Sequence, residues 1–172
     1  NLRFNKNVDG IPYDGKYIFS EMGYNFLPSE ISAAFALEQL KKLKANINLR
    51  VKNFNKIYNY FKKYENLFIL PTEFKGLKTG WLAFPFIIKK ESNIVRKNLQ
   101  IFLEKKGIQT RTIFTGNILR QPIMKSQFYK KCKDAEVNSN NVMKNGVLIG
   151  CHHGLTSKEV DYMLSIFDSF FT

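Results

Sequence analysis

Arg111 and Arg120 flank a turn at Gly116-Asn117 within GIQTRTIFTGNILRQP, and this is the stretch best equipped for chemistry. A guanidinium fork presents planar donors that match two oxygens of a phosphate or carboxylate at once. Gly116-Asn117, between the arginines, is a turn signal. Both histidines of the chain, His152 and His153, stand together in VLIGCHHGLTSKE. They fall between a strand and a helix start, where a helix dipole favours an anion. Adjacent residues at a strand end point opposite ways, so at most one of the pair enters a given site. Cys151 precedes them, but Cys-His-His in a row cannot chelate as spaced ligands do, and no metal site is assigned. Gly23-Tyr24-Asn25 lies before a helix, and the Asn25 amide could donate to a phosphate. Each feature has a plain structural alternative: solvated arginines at a bend, a loop pair of histidines, an asparagine in a turn. GxGxxG, P-loop, HExxH and GxSxG patterns are absent. No catalytic residue is identified, and the residues alone define a basic α+β domain that binds an anion.

The charge balance agrees. Net charge is +13, with 27 Lys and Arg against 14 Asp and Glu. An anionic partner follows: nucleic acid, an acidic membrane face or a phosphorylated small molecule. The lysines are spread along the chain in short clusters such as Lys41-Lys42, Lys62-Lys63 and Lys130-Lys131. That spread argues against a nucleic-acid stripe, although a basic binding module for nucleic acid remains the alternative of another class. With 172 residues, 44% hydrophobic and 15% aromatic, the chain can bury a real core. Two cysteines are too few for a disulfide scaffold and point to reduced thiols in the cytoplasm. No apolar run reaches the roughly 18 residues that span a bilayer. The chain opens on Asn1 in polar loop sequence, which is expected of a piece of a longer polypeptide.

The elements that must position these groups follow from periodicity. Residues 1–22 read as an arm with turns at Asp9-Gly10 and Asp14-Gly15. Ser29 and Glu30 start a long helix, expected from Ser29 to Tyr64 with a bend near Asn46 and a length of roughly 50 Å. Strands are expected at 67–70, 81–88, 108–114 and 147–151, with Pro85 marking an edge or bulge. Helices are expected from Ser92 to Lys106, across 125–131, and from Thr156 onward, where Thr156 and Glu159 form a capping box. Asp134 to Asn141 is a polar loop or helix start. The fold class is α+β: a long connecting helix and a small C-terminal domain with a short, mainly antiparallel sheet covered by helices. The domains are residues 1–28 (arm), 29–65 (connecting helix) and 66–172 (small domain).

GYNFLPSEISAAFALEQL, GIQTRTIFTGNILRQP and IGCHHGLTSKEVDYM together resemble the DegT/StrS-type sugar aminotransferase family. YDGKYIFSEMGYN and TR-x-x-F-x-GN-x-x-RQP are similar to its nucleotide-sugar 3-dehydratase branch, which acts on 4-keto-6-deoxy sugars in lipopolysaccharide and deoxysugar biosynthesis. The resemblance implies a fold type I enzyme dependent on pyridoxal or pyridoxamine phosphate (PLP/PMP), of which this is the C-terminal part. It implies that the upstream domain holds most of the cofactor and the residue that is lysine in aminotransferases and histidine in 3-dehydratases. This piece alone is then expected to be inactive. Asn25 is implied to reach the cofactor phosphate of the neighbouring subunit in a homodimer. Tyr24, Arg111, Asn117, Arg120, His152 and His153 are implied to lie near the nucleotide sugar. An iron–sulfur cluster, present in some of the branch, cannot be placed on this chain, and a reductase partner goes with the dehydratase reading. A sugar aminotransferase is the alternative within the family.

Overall fold

The computed structural model describes residues 6–14, 17–24, 26–132, 134 and 136–171. The chain divides into two compact units, Asn1–Leu40 and Lys41–Thr172.

In the first unit, β1 (Lys6–Val8) and β2 (Ile11–Tyr13) form an antiparallel hairpin with Val8 opposite Ile11. Asp9 and Gly10 both take positive φ, 52° and 81°, which is the turn that matches the twist of a two-residue hairpin. The arm expected from the sequence is thus a hairpin over part of its length, while the second expected turn includes Gly15, outside the described residues. Helix α1 (Glu30–Phe61) begins here with Glu30 in its first turn and continues as helix through Asn46. A 3-10 turn at Lys62–Tyr64 ends it.

The second unit is built on a four-stranded antiparallel sheet in the order β3 (Phe68–Ile69), β4 (Ala83–Ile88), β6 (Gly146–Gly150), β5 (Thr110–Arg111). Strand β4 alternates, with Phe84, Phe86 and Ile88 buried and the intervening residues half-buried. Phe84 pairs with Ile149 and Phe86 with Val147 of β6, so both strands turn the same face inward. Pro85 lies beyond the two residues of β4 that β3 reaches, consistent with the edge position a proline requires. Three helices supply the other side of the core. They are α1, through Phe54, Ile57 and Phe61; α2 (Arg96–Lys105), through Leu99 and Leu103; and α4 (Ser157–Phe171), through Val160, Met163, Leu164 and Phe167. Phe61 sits at the centre, its ring 5.0 Å from those of Phe86 and Phe167 and 5.4 Å from that of Phe84. The Trp81 ring stacks on Phe54 at 3.9 Å.

The structure differs from the sequence expectation at three places. The strand expected over residues 108–114 is only Thr110–Arg111, because Phe114 takes φ of 45° and Gly116 of 65°, bending the chain out of the sheet. Ser92 does not cap α2. Its hydroxyl donates to the Lys89 carbonyl at 2.8 Å, and the helix starts later with Val95 as an N-cap that offers no side-chain bond. The helix expected across 125–131 is instead a 3-10 segment at Pro122–Ser126, placed by the proline. The polar stretch from Asp134 to Asn141, read as a loop or a helix start, holds the start of helix α3 (Glu136–Asn145), which has no buried residue and is oriented by polar contacts more than by burial.

Candidate substrate-binding site

The last residues of β6, strand β5, the turn at 107–109 and the start of α4 surround a cleft of about 420 Å³. Ile108, Leu155 and Met163 give it an apolar wall, while Arg111 and His152 bring polar donors to its edge. An apolar cleft with a few directed polar groups is the usual form of a small-molecule site.

Arg111 is placed by a chain of bonds that begins in α2. Gly107, with φ of 76°, ends that helix in a left-handed cap and lets the chain turn into β5. The N–H and the hydroxyl of Thr110 both donate to Glu104 Oε1, at 2.6 and 2.9 Å. These bonds, the backbone one first, with a smaller contribution from the Arg111 charge, hold the Glu104 carboxyl below the usual carboxylate range. Arg111 then pairs with Leu148 in the β5–β6 ladder, and its side chain is exposed at the cleft.

His152 is fixed from two directions. Its Nδ1 accepts the Gly154 N–H at 3.2 Å, so the neutral ring carries its proton on Nε2 and can donate from there. Its backbone carbonyl accepts from Asn53 Nδ2 at 3.0 Å, and the same amide donates to the Leu155 carbonyl at 3.1 Å. Asn53 is only 6% exposed. His153 turns elsewhere: its Nδ1 accepts from Arg50 Nε at 3.3 Å, and it is not part of the cleft wall. The adjacent histidines therefore part, one to the cleft and one to α1. Glu159 also lines the cleft, but its Oε2 is committed to the Thr156 N–H and hydroxyl, both at 2.7 Å, completing the capping box of α4. Those bonds depress its pKa.

Asn117 and Arg120 meet at a residue that sequence reasoning missed. Asn117 is 2% exposed; its amide donates to Asn140 Oδ1 at 2.9 Å and to Glu136 Oε2 at 3.4 Å, and its Oδ1 accepts the Leu119 N–H at 3.0 Å. Arg120 Nε donates to the same Asn140 oxygen. Glu136 is also paired with Lys131 at 2.6 Å, the chief cause of its lowered pKa. The turn between the two arginines is therefore laced to α3, with Asn117 serving the loop itself and Arg120 exposed beside it.

Tyr24 belongs to the other unit, 87% exposed with its ring 5.4 Å from that of Phe26. Asn25 lies outside the described residues. Among the described residues no group of three or more His, Cys, Asp or Glu is placed to hold a metal ion. No helix there is long and apolar enough to cross a membrane. Cys132 and Cys151 are free, and burial pushes the Cys151 thiol up to about 11.

Asn53 and Asn140 carried a faint signal and none, respectively. Asn53 is one turn before Ile57 on the apolar stripe of α1, so a polar side chain there had to find partners inside. Asn140 stands in EVNSNNVMKN, where nothing distinguishes one asparagine from the next.

Fold and site together define an α+β architecture with an apolar cleft edged by Arg111, His152 and Glu159. The chain belongs to the DegT/DnrJ/EryC1/StrS aminotransferase family, whose pattern matches residues 5–168. The lipopolysaccharide biosynthesis protein RfbH of Salmonella typhimurium is 31% identical over 171 residues, covering 98% of this chain and 39% of that protein. GDP-4-keto-6-deoxy-D-mannose 3-dehydratase of Escherichia coli O55:H7 is 33% identical over 170 residues, 96% of this chain and 43% of that one. The chain thus spans less than half the length of these relatives. The solved structure of the E. coli 3-dehydratase with bound hydrated PLP superposes with a TM-score of 0.79 at 34% identity, over 88% of this chain and 38% of that chain. An aminotransferase from Psychrobacter cryohalolentis reaches the same TM-score of 0.79 at 12% identity, over 99% of this chain and 44% of that one, and shares the fold alone. The α+β architecture is accordingly that of a portion of a fold type I PLP enzyme.

Proposed function

We propose that the chain is the C-terminal part of a PLP/PMP-dependent nucleotide-sugar 3-dehydratase of lipopolysaccharide or deoxysugar biosynthesis. The observation that carries this reading is the spread of identities at equal fold. Solved 3-dehydratase structures match at 32–34%, whereas the aminotransferases of the same fold match at 12–18%. A sugar aminotransferase remains the second reading, supported by the family as a whole.

In this reading residues 1–28 are an arm, 29–65 a connecting helix and 66–172 a small domain that closes over substrate. The cofactor, when bound, supplies the electron sink, and most of its contacts lie in a preceding part of the parent. Asn25 would hold its phosphate across a homodimer interface, as a neutral amide donating to an anionic oxygen suits. On this chain the work is positional. Arg111 grips the diphosphate of the nucleotide sugar and His152 donates from Nε2 to an oxygen of the sugar or diphosphate. Holding that remote group lets binding energy orient the reacting carbon. Arg120 keeps its terminal donors for the same substrate while Nε secures the loop, and Asn117 shapes the turn between them. Tyr24 and His153 belong to the substrate surroundings through the resemblance. A cytoplasmic location and a reductase partner complete the assignment. An iron–sulfur cluster, if the parent has one, is held by other residues.

The test is product analysis with the full-length parent, a 4-keto-6-deoxy nucleotide sugar and glutamate. A product lacking the C3 hydroxyl supports the dehydratase. A 4-amino product with the C3 hydroxyl retained establishes the aminotransferase instead.

A further inference from the structure

A second concave site lies at the opposite end of the sheet. Ala83 at the start of β4 and Gly150 at the end of β6 line the cleft described above, whereas the other ends of both strands run into Lys89 and Asn145, beside a separate cleft of about 450 Å³. The six residues of β4 set the two about 17 Å apart. Five cations line the second one: Lys89, Lys90, Arg96, Lys97 and Lys144. No carboxylate lines it. Glu91, in the turn after Lys90, is exposed and outside the lining. Among the described residues no carboxylate pairs with any of the four lysines.

Helix α2 opens onto this cleft in a way its own sequence does not favour. Its first turn holds Arg96 and Lys97 and no acid, although a helix N-terminus favours negative charge. Its N-cap, Val95, gives the first N–H groups no side-chain acceptor. Ser92, the nearby residue able to do so, is bonded to Lys89 instead. Arg96 is preset as well: Nη1 donates to the Met143 carbonyl at 2.6 Å, which anchors the guanidinium and leaves its other donors uncommitted. Lys144 alone has an adequate local explanation, since a cation suits the last turn of α3. For the rest, like charges gathered around an uncapped helix start are a local conflict of the kind found at functional sites.

We propose that this cleft binds a small anion with clustered phosphates, of the diphosphate or nucleoside di- and triphosphate class, at a site separate from the Arg111 cleft. A bound diphosphate supplies acceptors for the open N–H groups of α2, reverses the unfavourable charge at its N-terminus and neutralises the lysines together. The concave shape, with cations on three sides from the turn after β4, from α2 and from α3, fits a compact ligand better than a flat membrane face. The inference does not rest on the dehydratase reading.

The test is an amide NMR titration of the protein with inorganic pyrophosphate at constant ionic strength, with chloride as control, repeated on the Lys90→Ala/Lys97→Ala double variant. Both lysines are exposed, so folding is spared. Saturable shifts at residues 96–98 and 144, with a Kd weakened about tenfold or more in the variant, are expected from the loss of two charge-assisted contacts. Equal shifts with chloride, equal affinity in the variant, or response confined to residues 109–111 and 152–154 overturn the proposal. So does binding only to vesicles of acidic lipid without response to pyrophosphate.

Discussion

The Asn53 carboxamide holds the backbone carbonyl of His152 at 3.0 Å from the buried face of α1, so the cleft histidine is set by a residue distant in sequence. The same amide also holds Leu155, spanning the 152–155 turn. Asn53→Ala leaves both carbonyls without this donor, at a cost of about 1–3 kcal/mol. A thermal melt should show Tm lowered by several degrees. Asn53→Asp should do more damage at neutral pH, since a carboxylate faces two carbonyl oxygens. A melt of the Ala variant that overlays the parent curve contradicts this role.

Gly116 faces a different constraint. Its φ is 65°, and a Cβ built there meets the Met143 Cβ at 2.5 Å and the Met143 Cα at 2.7 Å. Backbone atoms of α3 cannot swing aside as a side-chain tip can. Gly116→Ala should therefore lose more than the ordinary cost of a left-handed residue, about 1–2 kcal/mol, and detach the Asn117–Asn140 contact. Denaturant unfolding measures the loss, and an unchanged midpoint would mean the loop accommodates the methyl group freely.

How much of this was readable beforehand divides along physical lines. The capping box of Thr156 and Glu159 and the Gly107 cap depend on neighbours in sequence, and both are where local pattern places them. The family motifs cover strand β5 with Arg111 and the turn with His152. What local pattern could not give is pairing across the chain. The strand at 108–114 is short because the chain takes positive φ at Phe114 and Gly116, and Ser92 turned from helix cap to turn partner because its hydroxyl found the Lys89 carbonyl. The resemblance implies that Asn117 lies near substrate, yet its buried amide is spent on Asn140, a residue with no signature of its own.

Acid should loosen the domain at three helix or strand ends. Glu104, Glu136 and Glu159 all have depressed pKa values, caused chiefly by bonds from Thr110, Lys131 and Thr156 respectively. A depressed folded pKa gives stability that is present above the unfolded value and lost as pH falls through the folded one. Tm should therefore hold near neutrality and drop as pH moves below the usual carboxylate range. Glu159→Gln should flatten part of that drop. A pH profile identical to the parent's would remove Glu159 from the account.

The two thiols should separate cleanly. Cys132 is exposed, whereas Cys151 is buried, donates weakly to the Trp81 carbonyl at 3.6 Å and has its pKa raised to about 11. Thiolate is the reactive form, so one thiol should label quickly near pH 8 and the other only on unfolding. The raised value also lowers stability above the unfolded thiol pKa, because the unfolded chain then releases a proton that the folded one keeps; the loss levels off near pH 11. Two equally fast thiols in the folded protein would contradict the burial.

Arg111 provides the most direct test of what this chain contributes. An arginine fork on a diphosphate is directional, and lysine reproduces its charge but not its geometry. In the full-length parent, Arg111→Lys should weaken nucleotide-sugar binding by about ten- to a hundredfold, the loss of one charge-assisted bond of about 1.5–3 kcal/mol. Because the side chain is exposed and forms no ion pair among the described residues, Tm and cofactor absorbance should stay as they are. A nucleotide-sugar Kd unchanged in Arg111→Lys, measured by calorimetry under conditions where the parent binds, would show that the cleft beside β5 is not the substrate site.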